Sequence, residues 1–141
     1  MYSIIDIAQY LMSKDGYISQ KKLQKLCYYI QAWHLAFKKK KLIDCSFEAW
    51  VHGPVCKELY QKRASLEPNE RELPNEVKRF IDVIYNTYGR YTGNQLENIT
   101  HSERPWKEAR GNLQYWEPSN NIISDDSMQE YYEGIIRKSN E

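Results

Sequence analysis

Histidine and cysteine are the residues of this sequence best suited to binding a metal ion, and the chain contains three of each. His52 and Cys56 are four positions apart, a spacing that places two side chains on one face of a helix. A Gly-Pro pair lies between them, so we expect His52 to precede the helix. Cys27 and His34, seven positions apart, are the other pair able to face the same way. Structural zinc sites usually contain local pairs such as CxxC or HxH, which this sequence lacks, and we predict neither a metal nor a cofactor.

A hydrolase is the second kind of chemistry to consider. Its nucleophile would be Cys56 or Ser102, assisted by His52, His34 or His101. His101 and Ser102 are sequence neighbours, whose side chains usually point apart. The sequence contains no GxSxG motif and no phosphate-binding glycine loop, and its six glycines are not clustered. We therefore predict that the protein is not an enzyme, and a hydrolase built on Cys56 remains as an alternative.

The composition is that of a globular protein. Hydrophobic residues make up 41% of the chain and charged residues 28%, with a mean hydropathy of −0.79. No apolar run approaches the roughly 20 residues that a membrane helix needs. The N-terminal residues carry an acid and lack a basic leader, so we do not expect a signal peptide. The three cysteines, an odd number at scattered positions, are expected to be reduced thiols in a cytoplasmic protein without a membrane partner.

The net charge of +1 conceals an uneven distribution along the chain. Residues 1–65 contain 11 Lys and Arg against 5 Asp and Glu, whereas residues 66–141 contain 9 against 14. A basic half can attract nucleic acid or an acidic protein surface. The four consecutive lysines at 38–41 fall at the end of a predicted helix, where cations complement the helix dipole. We therefore do not expect nucleic acid as a partner, and a nucleic-acid-binding regulator remains as an alternative.

The hydrophobic periodicity predicts a mainly α fold. We expect a single compact multi-helix domain over residues 1–141, with at most a short two-stranded β element and a brief strand or extended segment at residues 42–51. Capping residues are predicted at Ser3, Ser19, Thr92 and Ser124. The predicted helices cover residues 4–15, 20–41, 76–89, 93–99, 102–110 and 125–138, together with one that begins at Pro54 and carries Val55 and Tyr60.

The aromatic residues point towards protein recognition. Twelve tyrosines and four tryptophans occur in 141 residues, and both residue types are enriched in small cores and at interface hot spots. We expect Tyr28, Tyr29, Trp33, Trp50 and Tyr60 to cluster around residues 48–60. So many aromatic side chains are more than the packing of one small corner of the fold requires, and the cluster therefore predicts a recognition surface there.

Three stretches of the chain together are more specific than any one of them. They are KLQKLCYYIQAWHLAF at residues 22–37, FEAWVHGPVCKELY at 47–60 and ENITHSERPWKEAR at 97–110. In this order the sequence resembles the Panacea domain family, also described as SocA-like or phage-associated GepA-like, over essentially its whole length. One departure is Lys39-Lys40, where the family commonly has a glycine after the long helix.

The resemblance implies an antitoxin, the protective half of a bacterial or phage toxin–antitoxin pair, which binds its toxin directly. The partner is then a protein toxin encoded next to it. The alternative is an adaptor that delivers the toxin to a protease. The sequence does not indicate how many copies of the chain associate. In this interpretation Trp50 holds the extended segment on the central helix, Gly53 permits a tight turn and Pro54 begins a helix. The predicted partner-binding residues are Tyr28, Trp33, Trp50, His52, Gly53, Pro54, Val55, Tyr60, His101, Pro105 and Trp106.

Overall fold

The structure is a computed structural model that describes residues 1–70 and 72–141. Within these residues the chain forms α-helices and three short strands. The helices are α1 (Ile4–Lys14), α2 (Gln20–Lys38), α3 (Lys57–Lys62), α4 (Asn75–Tyr88), α5 (Gly93–Ser102), α6 (Arg104–Arg110) and α7 (Asp125–Ser139), with a 3₁₀ turn at Arg63–Ser65. The strands are β1 (Phe47–Trp50), β2 (Gly53–Val55) and β3 (Ile122–Ile123). The predicted mainly α fold is confirmed.

Helix α2 is the centre of the molecule, as its apolar circumference predicts. It packs against α1, α4, α5 and α7 and against strand β2. Most of its buried side chains are apolar, but several are polar. One of them, Gln31, accepts hydrogen bonds from the backbone N–H groups of Leu42 and Ile43 and donates to the carbonyl of Ile43. This side chain therefore holds the segment that follows α2 on the face of the helix.

Four helices begin where the capping residues predict them, whereas α5 extends to Ser102 rather than 99 and α6 begins at Arg104 rather than 102. The side chains of Ser3, Ser19 and Ser124 accept hydrogen bonds from first-turn N–H groups, and Thr92 forms a capping box with Gln95. Helix α2 ends at Lys38, three residues before its predicted end at residue 41, and the φ of 61° of its C-cap Lys39 lies in the left-handed region that favours glycine. A lysine thus occupies a helix terminus of the kind that glycine usually fills.

The sheet is larger than predicted, because a third strand joins the expected pair. Its antiparallel strands are ordered β2-β1-β3, with Ala49 opposite Pro54 and Phe47 opposite Ile123. The prediction that Pro54 begins a helix is wrong: Pro54 lies in β2, at the edge of the sheet, and α3 begins at Lys57 after the N-cap Cys56. Proline fits both places for one reason, since neither a helix start nor an edge strand needs its missing N–H.

Tyrosines fill the contact between α2 and α7. Tyr28 and Tyr29 meet Tyr132 edge-on at ring-centroid distances of 6.3 and 6.1 Å, and Tyr29 stacks on Tyr88 at 4.0 Å. The hydroxyl groups of Tyr29 and Tyr132 both donate to Oε1 of Glu103, at 2.7 and 2.8 Å. Burial raises the pKa of this carboxyl, and the two hydroxyl donors act in the opposite direction. Much of the tyrosine content therefore serves the core.

Candidate functional site

The three family-like stretches meet beneath the β1–β2 hairpin. Gly53 has a φ of +104°, and a Cβ atom built on it would lie 2.6 Å from Cε of Lys25 and 3.1 Å from Oγ1 of Thr100. Lys25 belongs to the first stretch, Gly53 to the second and Thr100 to the third. Glycine is required here because both the backbone conformation and the close approach exclude a larger side chain. The predicted tight turn is present, but its central residues are Val51 and His52, and Gly53 is the first residue of β2.

Gln24 fixes the far side of the hairpin. Its side-chain amide donates to the carbonyl of Cys56 at 3.0 Å and accepts from the N–H of the same residue at 2.8 Å. The two hydrogen bonds satisfy the N–H and C=O groups of Cys56 as a neighbouring strand would. Gln24 is almost fully buried. The junction between β2 and α3 is therefore held directly by the central helix.

Trp106 and His101 hold the other side of the hairpin. The indole N–H of Trp106 donates to the carbonyl of Trp50 at 2.8 Å. The ring of His101 stacks on Trp106 at a centroid distance of 4.0 Å and lies beside the backbone of Val51. Burial lowers the pKa of His101, which favours its neutral form. Pro105 lies in the first turn of α6, as predicted, and sets Trp106 in this position.

Buried charge lies under the hairpin. Burial lowers the pKa of Lys25 to about 7, because water cannot reach the ammonium group, although the nearby Glu97 carboxylate opposes the shift. Glu97 also pairs with Lys21 at 2.8 Å and with Nδ1 of His52 at 3.2 Å. Burial acts to raise the pKa of Glu97, but the contacts with Lys21 outweigh it and the net shift is downward. The underside of the hairpin is thus electrostatically coupled to the exposed His52.

Arg110 positions the loop that follows α6. Its guanidinium lies 4.8 Å above the Trp106 ring and donates to the carbonyl of Ala49 at 2.9 Å. It also donates to the carbonyls of three loop residues, Gln114, Tyr115 and Glu117. One buried cation thereby links the hairpin to the loop, and no local sequence signal predicts this role.

The same loop displays two aromatic side chains. Tyr115 and Trp116 are 70% and 62% exposed, and their rings meet edge-on at 5.4 Å. Adjoining exposed rings form a contiguous apolar patch, and such patches are typical of interaction sites when they are large. The sequence pattern predicts only a plain loop over residues 111–121, and this pair was missed. The signal was present, since Tyr-Trp stands between polar residues that give it no apolar neighbours to pack with.

A groove opens between the hairpin and this loop, and we call it the hairpin groove. Its volume is about 540 Å³. Its lining residues come from β1, the hairpin turn, the start of α3 and the loop: Glu48, Trp50, Val51, His52, Lys57, Pro118, Ser119 and Asn120. Trp50 forms one wall, and its ring packs on Tyr60 of α3 at 5.0 Å. Phe47, not Trp50, makes the ring contact of β1 with α2, lying 5.6 Å from Tyr28.

The predicted partner-binding residues divide into three groups by position. His52 and Tyr60 are exposed beside the hairpin groove, while Trp50 and His101 are half-buried there. Buried residues form the support of the hairpin, namely Gly53, Pro54, Val55, Pro105 and Trp106. Tyr28 is buried in the core, and the half-buried Trp33 packs on Phe37 and Tyr132. The expected single aromatic cluster is therefore wrong for Tyr29 and Trp33, whose ring contacts are with α4 and α7 or within α2.

The cysteines are closer in space than their scattered positions suggest. The side chains of Cys45 and Cys56 lie near each other, and the neighbouring Cys45 thiol lowers the pKa of Cys56 to about 7. Cys56 is nevertheless buried, and the side chains of His34, His52 and His101 contact Lys40, Glu97 and Val51 rather than this thiol. Within residues 1–70 and 72–141, no three His, Cys, Asp or Glu side chains are arranged to hold a metal ion.

Comparison with known protein families identifies the class of protein. The family model described as "Antitoxin SocA-like, Panacea domain" matches residues 23–107, which include most of α2, the hairpin and the His101–Trp106 turn. The chain therefore belongs to the SocA-like Panacea antitoxin family. Neither a curated protein nor a solved structure matches it. In the part of the chain that the structure describes, no helix is long and apolar enough to cross a membrane.

Proposed function

We propose that this protein is an antitoxin that neutralises a protein toxin by binding it directly, without catalysis. Membership of the antitoxin family is the observation that carries the proposal. The toxin is expected to be encoded by an adjacent reading frame, and the encounter to take place in the cytoplasm. The functional unit is proposed to be the whole chain, residues 1–141, because α1 and α7 lie outside the matched region yet pack on α2.

The hairpin groove and its surroundings are the proposed contact surface. Trp50, His52 and Tyr60 lie on one side of it, and Tyr115 and Trp116 stand on the loop that borders the other. Tyrosine and tryptophan are enriched at interface hot spots because they bury a large apolar body while keeping a polar group. The buried residues of the site act indirectly, since Gly53 and Trp106 hold the hairpin in the shape that the toxin meets.

Growth rescue tests this function. The adjacent reading frame is expressed from one inducible promoter and this protein from a second, and surviving colonies are counted. We expect the neighbour alone to stop growth and co-expression to restore it. Survival that also requires the host's ATP-dependent proteases would assign the protein to the adaptor mechanism instead. A neighbour that is harmless alone, or lethal despite this protein, would contradict the proposed pairing.

A further inference from the structure

A second groove lies between the end of α2 and the first turns of α4, and we call it the basic groove. It consists of two adjoining parts of about 700 and 280 Å³. Both parts are lined by His34 and Lys38 of α2, by Leu42, and by Glu76 and Val77 of α4. None of these residues lines the hairpin groove, so the basic groove is a separate feature of the surface.

The rim of the basic groove carries cations without counterions. Lys38, Lys40 and Arg79 are exposed and form no ion pair with any carboxylate in residues 1–70 and 72–141. Glu76 is the one carboxylate among the described lining residues of both parts. Three uncompensated positive charges therefore face one negative charge around the groove.

The helix dipole explains the position of this lysine run, since Lys38 lies in the last turn of α2 as predicted, but it does not neutralise the lysine charges. From the sequence, the run at residues 38–41 was assigned to the C-terminus of α2. In the structure Lys39 donates to the Ala36 carbonyl and pairs with Glu133, and Lys41 pairs with Asp125 at 3.8 Å. The ammonium groups of Lys38 and Lys40 make neither kind of contact among the described residues, and they remain available to a ligand.

The floor of the basic groove is apolar. Leu42 and Val77 are buried beneath it, Phe80 is half-buried, and Val83 is 61% exposed at its edge. His34 closes one side: its Nδ1–H donates to the Lys40 carbonyl at 2.7 Å and its ring lies edge-on to Phe80 at 5.2 Å. Burial lowers the pKa of His34, so this wall is a neutral ring.

We propose that the basic groove binds an acidic amphipathic segment of the toxin, with carboxylates on its rim and apolar side chains on its floor. The charge complementarity assigns the carboxylates to Lys38, Lys40 and Arg79. The apolar floor favours a protein segment over nucleic acid, because a phosphate backbone has no apolar side chains to cover Val83 and Phe80. This inference rests on the proposed function and adds a second contact, away from the hairpin groove.

Charge reversal on the rim tests the proposal. The variant Lys38→Glu/Arg79→Glu is compared with Arg137→Glu/Lys138→Glu, which changes the net charge equally at the end of α7. All four residues are exposed, and circular dichroism melts verify that each variant is folded. Binding of the purified neighbouring gene product is measured by calorimetry at low and moderate salt. We expect the rim variant to bind at least about tenfold more weakly and with less salt dependence, and the control to change less than about threefold.

A second variant and a second probe separate the other outcomes. Val83→Ser should also weaken toxin binding, by about threefold or more, because it removes apolar surface from the floor. If the rim variant and its control bind the toxin with equal affinity, the basic groove is not a toxin-binding site, while the proposed antitoxin function is unaffected. Binding of a 20-base-pair DNA duplex that the rim variant abolishes, with toxin binding unchanged, would reassign the groove to nucleic acid. Absence of toxin binding by the unaltered protein would overturn both this inference and the proposed function.

Discussion

Replacing Gly53 with alanine tests the convergence of the three family stretches beneath the hairpin. The new Cβ would lie 2.6 Å from Cε of Lys25 and 3.1 Å from Oγ1 of Thr100. A non-glycine residue at a φ of +104° costs about 1–3 kcal/mol, and fitting a methyl group against the end of the buried Lys25 side chain costs about 1–2 kcal/mol more. We therefore expect Gly53→Ala to lower the free energy of unfolding by about 2–5 kcal/mol.

The assay is urea unfolding at pH 7, followed by circular dichroism, with Gly16→Ala as the matched control. Gly16 has no atom within 4 Å of its built Cβ and no positive φ, so the control should differ from the unaltered protein by less than about 1 kcal/mol. A loss of about 2–5 kcal/mol is a large part of the roughly 5–15 kcal/mol that a domain has. Equal unfolding midpoints for Gly53→Ala and Gly16→Ala would refute the steric argument.

Three further predictions concern residues around the hairpin and the end of α2. Because the pKa of Lys25 is about 7 in the folded protein and about 10.4 when unfolded, the unfolded state binds more protons between these values. Stability should therefore rise by about 2–3 kcal/mol from pH 7 to pH 9 relative to Lys25→Met, and parallel pH profiles would contradict this. Trp106→Phe leaves the Trp50 carbonyl without its indole donor and should cost about 1–3 kcal/mol in urea unfolding, whereas no loss would show that water replaces the bond. Lys39→Gly should be about 1 kcal/mol more stable than Lys39→Ala, since both lose the side chain but only glycine relieves the positive φ; equal thermal midpoints would count against it.

The sequence predicts the helices well because their signals are local. Ser3, Ser19 and Ser124 precede apolar stripes with helical spacing, and a cap together with a stripe leaves few alternatives. Pro54 was misplaced for an equally local reason, since its missing N–H suits an edge strand as well as a helix start. Local patterns therefore fix the type of most elements and fail where two structures share the same requirement.

The candidate site was only partly predictable, because its supports are long-range contacts. Gln24 and Cys56 are 32 positions apart in the sequence, and Arg110 and Ala49 are 61 apart. Local residue spacing predicts neither of these hydrogen bonds. His52 and Tyr60 were correctly expected near the hairpin, whereas Trp33 belongs to the α2–α7 contact. Trp116 was missed because an exposed ring in a polar loop gives no periodic signal.

Direct binding by variants of the exposed aromatic residues tests the central claim, that the surface around the hairpin groove binds the toxin. The dissociation constant of the purified toxin is measured for Trp116→Ser and for Tyr17→Ser, a matched control because Tyr17 is 99% exposed and lies between α1 and α2 rather than in the loop that borders the groove. Both variants should retain the unaltered thermal midpoint. We predict that Trp116→Ser weakens binding by about 2 kcal/mol, roughly thirtyfold, with no effect of Tyr17→Ser. Equal affinities for the two variants would contradict the assignment of this surface.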